Sequence, residues 1–156
     1  MTEIRIVRDY PHAPTTVWRA VTEPELVARW TVTGQGGRPV RFTPIVGSTF
    51  QLVAKPVPGW RGIVDCEVLE VDAPRLLRYT WRGEENGKPT FVSYQIEPVA
   101  AGTRFTFEHT GFTGIGGFFM AKLLGAVRRK MLNVGLPAVL DDLAKGASDA
   151  SADGSR

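Results

Sequence analysis

Apolar residues alternate with polar ones along the first two thirds of the chain and then recur every three or four positions along the last third. The first pattern predicts strands with one buried face, the second a helix. Thr2 to Tyr10 sets Ile4 and Ile6 opposite Arg5 and Asp9, a half-buried strand ended by Pro11 and Pro14. Pro14 suits the first turn of a helix through Val17, Trp18 and Val21. Thr22-Glu23-Pro24-Glu25 has the spacing of a capping box, which opens a second short helix to Trp30.

Gly34, Gly36, Gly37 and Pro39 break the chain there. Alternating segments follow at Arg38 to Phe42, Ser48 to Val53, Arg61 to Val71, Leu76 to Arg82 and Thr90 to Glu97, with a sixth from Thr103 to His109. Short turns at Asp72-Ala73-Pro74, Glu85-Asn86-Gly87 and Ala101-Gly102 connect the later ones, so the sheet is an antiparallel meander. Alternation puts Phe50, Leu52, Val64, Cys66, Val68, Leu77, Tyr79, Trp81, Val92, Tyr94, Ile96, Phe105, Phe107 and His109 on one face. The opposite face carries Arg61, Asp65, Glu67, Arg78, Arg82, Gln95, Arg104 and Glu108. A sheet greasy on one side needs an apolar cover, and the C-terminal helix supplies it.

That helix is predicted from Gly116 to Lys145, roughly 45 Å at 1.5 Å per residue. Met120, Leu123, Leu124, Val127, Met131, Val134 and Ala138 form one stripe, expected to lie on the sheet, with Lys122, Arg129 and Asn133 opposite. Beyond Gly135 and Pro137 the apolar set Leu136, Val139, Leu140 and Leu143 falls on the other side, which predicts a kink at the Gly-Leu-Pro step. Residues 146–156 contain no large apolar side chain and are expected to be a disordered tail.

With 156 residues, 43% of them hydrophobic and 22% charged, the chain makes one globular domain over residues 1–145. The net charge of +3 lacks the dense basic stripe of a nucleic-acid binder. Ile115 to Val127, the longest greasy stretch, contains Lys122 and is too short for stable membrane insertion. A lone Cys66 excludes an internal disulfide framework, and the polar N-terminus does not read as a signal peptide, so a reducing cytoplasm is the expected location.

The order of strand, two short helices, six strands and one long helix resembles the START-like, birch-pollen-allergen-like helix-grip superfamily (SRPBCC). Several segments resemble its branch related to the activator of heat-shock-protein-90 ATPase. The residues that carry the likeness are Ala13-Pro14-Thr15-Thr16-Val17-Trp18 through Thr22-Glu23-Pro24-Glu25 to Trp30, then Val46-Gly47 and Val68-Leu69-Glu70-Val71. Leu77-Arg78-Tyr79-Thr80-Trp81, Gly102-Thr103 and Phe107-Glu108-His109-Thr110-Gly111-Phe112 complete them. The resemblance covers Ile4 to Leu143 and implies an α+β helix-grip fold, a curved antiparallel sheet wrapped around the long helix with an internal cavity. Members enclose lipids, sterols, hormones or polyketide intermediates, and a minority are cyclases or aromatases.

Such a cavity, open or filled by its own side chains, would be lined by Trp30, Phe50, Tyr79, Trp81, Tyr94, Phe105, Phe107, His109, Phe119, Leu123, Val127 and Met131. His109, at an inward position and titrating near neutrality, is the one candidate catalytic residue, either a general acid/base or a hydrogen-bonded structural histidine. No triad accompanies it. His12, His109 and Cys66 make no metal-ligand cluster, and no motif calls for a cofactor. Gly111, Gly114, Gly116 and Gly117 suit a flexible entrance hinge, with Phe112, Phe118 and Phe119 as its lip. Arg128-Arg129-Lys130 reads as a solvated helix flank. Three functions follow: binding of a small hydrophobic molecule, cyclase or aromatase chemistry in the same cavity, and a protein-interaction or co-chaperone-like domain without a ligand, its protein partner undetermined.

Overall fold

Nine consecutive residues from Thr2 to Tyr10 form β1, and the chain then turns through two short helices, α1 (Pro14–Thr22) and α2 (Pro24–Thr31). The computed structural model describes residues 2–31, 38–56, 58, 61–83 and 87–154, with residue 2 and residues 147–154 as backbone only. Six more strands follow: β2 (Arg38–Val40), β3 (Thr49–Val53), β4 (Ile63–Asp72), β5 (Leu76–Trp81), β6 (Thr90–Val99) and β7 (Gly102–Phe112). Helix α3 (Gly114–Lys130), a π-helical turn (Met131–Gly135) and α4 (Leu136–Gly154) complete the chain. The breaks expected at Gly34, Gly36 and Gly37, and most of the Glu85-Asn86-Gly87 turn, lie outside the described residues.

The sheet has seven antiparallel strands in the order β1-β7-β6-β5-β4-β3-β2. Along β4 the residues Ile63 to Glu67 pair with β3, and Val68 to Asp72 pair with β5 across a register shift between Val68 and Glu70. A bulge at that place bends the sheet, so its inner face is concave. All fourteen residues assigned inward by alternation are buried except Trp81, which is half-buried. The architecture is the α+β helix grip: α1, α2 and the long C-terminal helix lie on the apolar face.

Two local expectations are corrected. Thr22 does not cap α2; its hydroxyl donates to the Trp18 carbonyl at 2.6 Å and finishes α1 instead. On the long helix, Met120, Leu123 and Val134 are exposed, and the buried stripe is Ala121, Gly125, Arg128, Leu132, Gly135, Val139, with Leu143 half-buried at its end. Their spacings are three and four residues throughout, so one stripe serves both halves and no change of face occurs. The first half of the stripe is made of small residues and one arginine, which a search for large apolar side chains overlooks.

The kink expected near Pro137 takes the form of the π-helical turn just before it. In that turn the Leu136 N–H donates to the Met131 carbonyl, five residues back. The next donor in the series would be residue 137, and proline has none. The Leu132 carbonyl that it leaves free accepts the Tyr10 hydroxyl of β1 at 2.6 Å. Further polar contacts hold the same stretch: Arg8 donates to Asn133, His12 meets Asp141 at 3.1 Å, and Arg29 donates to Asp142. The backbone stays helical to Gly154, through a segment where composition alone predicts no order. No described helix is long and apolar enough to cross a membrane.

Replacing Tyr10 with Phe strands a buried carbonyl while keeping the ring, and should destabilise the fold by about 1–3 kcal/mol in urea unfolding. An unchanged midpoint would mean that another group satisfies Leu132.

Candidate functional site

Where the concave sheet and the helices diverge, a gap of about 20 Å³ remains. Phe50 and Leu52 of β3, Leu77 and Tyr79 of β5 and Tyr94 of β6 floor it; Val21, Val27, Thr31 and Arg128 of the helices roof it, with Pro39 and Phe42 at its edge. Such a volume holds about one water, whereas ligand pockets run to about 300–1,000 Å³. The internal cavity expected from the resemblance is therefore filled by side chains in this state. Edge-on aromatic packing fills it, with centroids 4.8 Å apart for Phe42 and Phe50, 5.2 Å for Phe50 and Tyr79, and 5.8 Å for Tyr79 and Tyr94.

The polar groups at this gap are donors short of acceptors. The Tyr79 and Tyr94 hydroxyls share one hydrogen bond at 3.0 Å, which consumes only one of their two hydrogens. Burial pushes both phenols above their usual range, so neither ionises near neutrality. Thr31 spends its hydrogen on the Val27 carbonyl. Arg128, expected on a solvated flank, is only 6% exposed, while Arg129 and Lys130 beside it face solvent. Its guanidinium lies 5.2 Å from the Phe107 ring centroid and reaches the Met131 sulfur at 3.8 Å, and its Nε has no partner among the described residues.

Of the twelve residues expected to line a pocket, Phe50, Tyr79 and Tyr94 border the gap. Trp30, Phe105, Phe107 and Met131 are fully buried core, and the Trp30 indole N–H donates to the Ala20 carbonyl at 2.8 Å. Val127 is half-buried. Phe119 and Leu123 do not face the sheet at all and are more than 60% exposed. Sequence reasoning missed Val21, Val27, Phe42, Leu77 and above all Arg128. The available signal was that Arg128 alone of its basic triplet keeps the spacing of Ala121, Gly125 and Leu132.

Trp81 and His109 pack together near the ends of β5 and β7, ring centroids 5.2 Å apart, with Phe112 at 4.5 Å from the imidazole. Thr90 donates its hydroxyl hydrogen to the Trp81 carbonyl at 2.8 Å, so at 2.7 Å from His109 it must accept from Nε2–H. The imidazole is thus the Nε2–H tautomer, with Nδ1 unpartnered. Burial first, and the Arg128 charge second, depress its pKa to about 2. His109 is neutral at physiological pH, which leaves it no proton to give as a general acid.

A larger hollow of about 530 Å³ lies elsewhere, a groove along β3 and β4 bordered by Arg41, Gln51, Asp65, Glu67 and Arg82. Within it Asp65 accepts from Gln51 at 3.0 Å and from Arg61 at 2.6 Å, which holds its carboxyl below the usual range.

The histidine makes a pH prediction. Between its ordinary pKa of 6.5 and about 2, the unfolded chain binds a proton at His109 that the folded protein refuses. Its contribution to stability is complete above pH 6.5 and falls with acidification, by about 1.4 kcal/mol per pH unit once well below that value. Urea unfolding between pH 7 and 4 should therefore show a steeper acid loss for the wild type than for His109→Gln. Parallel slopes would mean that the folded protein accepts the proton.

The sequence model of the family described as Activator of Hsp90 ATPase homolog 1-like protein matches residues 11–123. No curated protein matches the chain in sequence. Among solved structures, a Mesorhizobium loti protein is similar with a TM-score of 0.77 at 26% identity, over 90% of this chain and 98% of that one. A Nitrosomonas europaea protein reaches 0.72 at 19% identity, over 92% and 96%. DynU16, from the dynemicin biosynthetic locus, reaches 0.62 at 23% identity over 86% of this chain, which spans about half (48%) of DynU16. With more than two thirds of its length matched and the helix grip in place, the chain belongs to the Activator of Hsp90 ATPase homolog 1-like family.

Proposed function

We propose that this protein binds a small hydrophobic molecule between the inner face of its sheet and the helices that grip it. The make-up of the gap carries this reading: apolar walls converge on two phenol hydroxyls and a guanidinium that have more donors than acceptors among the described residues, the Arg128 Nε being without one. A core that served packing alone would gain from omitting them, since a buried polar group without a partner costs about 1–3 kcal/mol. Pockets for small molecules combine such walls with a few such groups. Their presence at a place where sheet and helices part supports a binding role.

In the closed state the gap is too small for a ligand, so binding requires a helix to yield. Helix α3 is suited to that. It buries only Ala121, Gly125 and Arg128 fully and Leu124 and Val127 in part, while Ile115, Phe119, Met120 and Leu123 stay exposed. The apolar area holding it, at about 25 cal/mol per Å², is correspondingly small. Gly111, at φ 96°, precedes it and Gly114, at φ 69°, opens it, and both adopt the left-handed backbone that glycine tolerates best. They are natural points for the change in backbone angle.

Cyclase or aromatase chemistry is less well supported, because His109 holds no acidic proton and burial keeps Tyr79 and Tyr94 protonated. A protein-interaction domain is the second reading. The filled interior and the exposed apolar residues of α3 favour it. A cytoplasmic location fits Cys66, a free, buried thiol whose pKa burial raises.

Gentle purification, native mass spectrometry and solvent extraction, followed by a melting screen of the stripped protein against lipids and aromatic compounds, tests the reading. A co-purifying small molecule or a dose-dependent rise in Tm is expected. A clean apo mass together with a flat screen would overturn it in favour of the interaction domain.

A further inference from the structure

We infer that the molecule bound is a monoanionic amphiphile, an apolar chain or ring bearing one carboxylate, and that Arg128 is the residue that receives the acid. The inference rests on the binding reading above and adds the chemistry of the ligand.

An arginine cannot escape burial by losing its proton, so Arg128 keeps a full positive charge inside the fold. Buried ions are tolerated when a counter-ion and several hydrogen bonds replace water. Arg128 has neither: it makes no ion pair among the described residues, its Nε is unpartnered, and its nearest acceptor is the thioether of Met131. The titratable groups that sense its charge from the sheet are Cys66, Tyr79, Tyr94 and His109. Burial keeps all four neutral near pH 7, the thiol and phenols protonated and the imidazole unprotonated, so none is a counter-ion.

The guanidinium borders the same gap as the hydroxyls of Tyr79 and Tyr94, one of whose hydrogens is uncommitted. A planar fork of N–H groups beside a free O–H matches a carboxylate, which accepts two parallel bonds from arginine and has lone pairs left for the phenol. One guanidinium balances one negative charge. A phosphate monoester, carrying nearly two near neutrality, would leave part of its charge buried without compensation. Apart from the Thr31 hydroxyl, whose hydrogen is spent on the Val27 carbonyl, the remaining walls, among them Val21, Val27, Phe50, Leu52 and Leu77, offer apolar contact, so the rest of the molecule is a hydrocarbon chain or ring.

The test is a set of calorimetric titrations of delipidated wild type, Arg128→Gln and Arg128→Met with dodecanoate, dodecanol and dodecyl phosphate. Wild type should prefer dodecanoate to dodecanol by roughly tenfold to a hundredfold, as expected for charged hydrogen bonds, and both variants should lose that preference while still binding the alcohol. Equal affinity for acid and alcohol in the wild type would overturn the role of Arg128 and leave hydrophobic binding standing. A persisting preference in the variants would do the same. Tighter binding of dodecyl phosphate than of dodecanoate would overturn the carboxylate assignment. Failure of all three probes on wild type, with a flat ligand screen, would overturn the binding reading itself and this inference with it. A second measurement needs no ligand: the stripped Arg128→Met protein should melt higher than wild type, because it no longer buries an unpaired charge. A lower Tm would show that Arg128 is compensated within the fold.

Discussion

The concave, apolar face of one sheet has to be covered, and the chain has only α1, α2 and one long C-terminal helix to cover it. Everything else follows from how that is done. The bulge after Val68 in the β4–β5 pairing bends the sheet, and a curled sheet cannot meet a straight helix along its length. The helix responds with a π-helical turn where Pro137 withholds a donor, and Tyr10 of the first strand takes up the carbonyl so released. The β1 to β7 pairing brings the chain's first strand beside the strand that leads into the helix, so Tyr10 is in reach of it. Covering the sheet and closing the fold are thus one arrangement.

The two halves of the long helix do different things within it. Beyond the π-helical turn, Leu136, Val139 and Leu140 are buried, and His12 and Arg29 pair with Asp141 and Asp142 from outside. Those exposed pairs contribute little each. Burial of three large aliphatic side chains contributes much more, about 1.5–3 kcal/mol apiece. Ahead of the turn, α3 buries only alanine, glycine and arginine, half-buries Leu124 and Val127, and keeps Ile115, Phe119 and Leu123 outside. One half anchors, and the other is more lightly held beside the gap.

Much of this was legible in the sequence. Strand alternation gave the inner face almost residue for residue, because a period of two admits only two assignments and Phe105, Phe107 and Ile96 leave no doubt which is inward. The helix was harder. Its buried stripe is marked by small residues, so ranking positions by size selected Phe119, Met120 and Leu123, which lie outside. The candidate site was legible in part: Tyr79, Tyr94 and Phe50 follow from alternation, but the filling of the gap depends on how rings from different strands stack, which no local pattern encodes. Arg128 was missed because a run of three basic residues ordinarily lies in water, and only its phase relative to Ala121 and Gly125 argues otherwise.

Arg128 and the weak hold of α3 are best understood together. A buried, uncompensated charge and an under-packed helix both raise the energy of the closed state, and both sit on the same element. An anionic ligand that displaces α3 would relieve the first by pairing with the guanidinium and the second by adding apolar contact where the helix makes little. A ligand can shift a conformational equilibrium only by the difference in its affinity for the two states. A site whose closed form carries an unmet charge builds that difference into the protein before any ligand arrives. The neutrality of His109, Cys66, Tyr79 and Tyr94 serves the same end, since any of them ionised as an anion would compete for the arginine, and a protonated histidine would repel it.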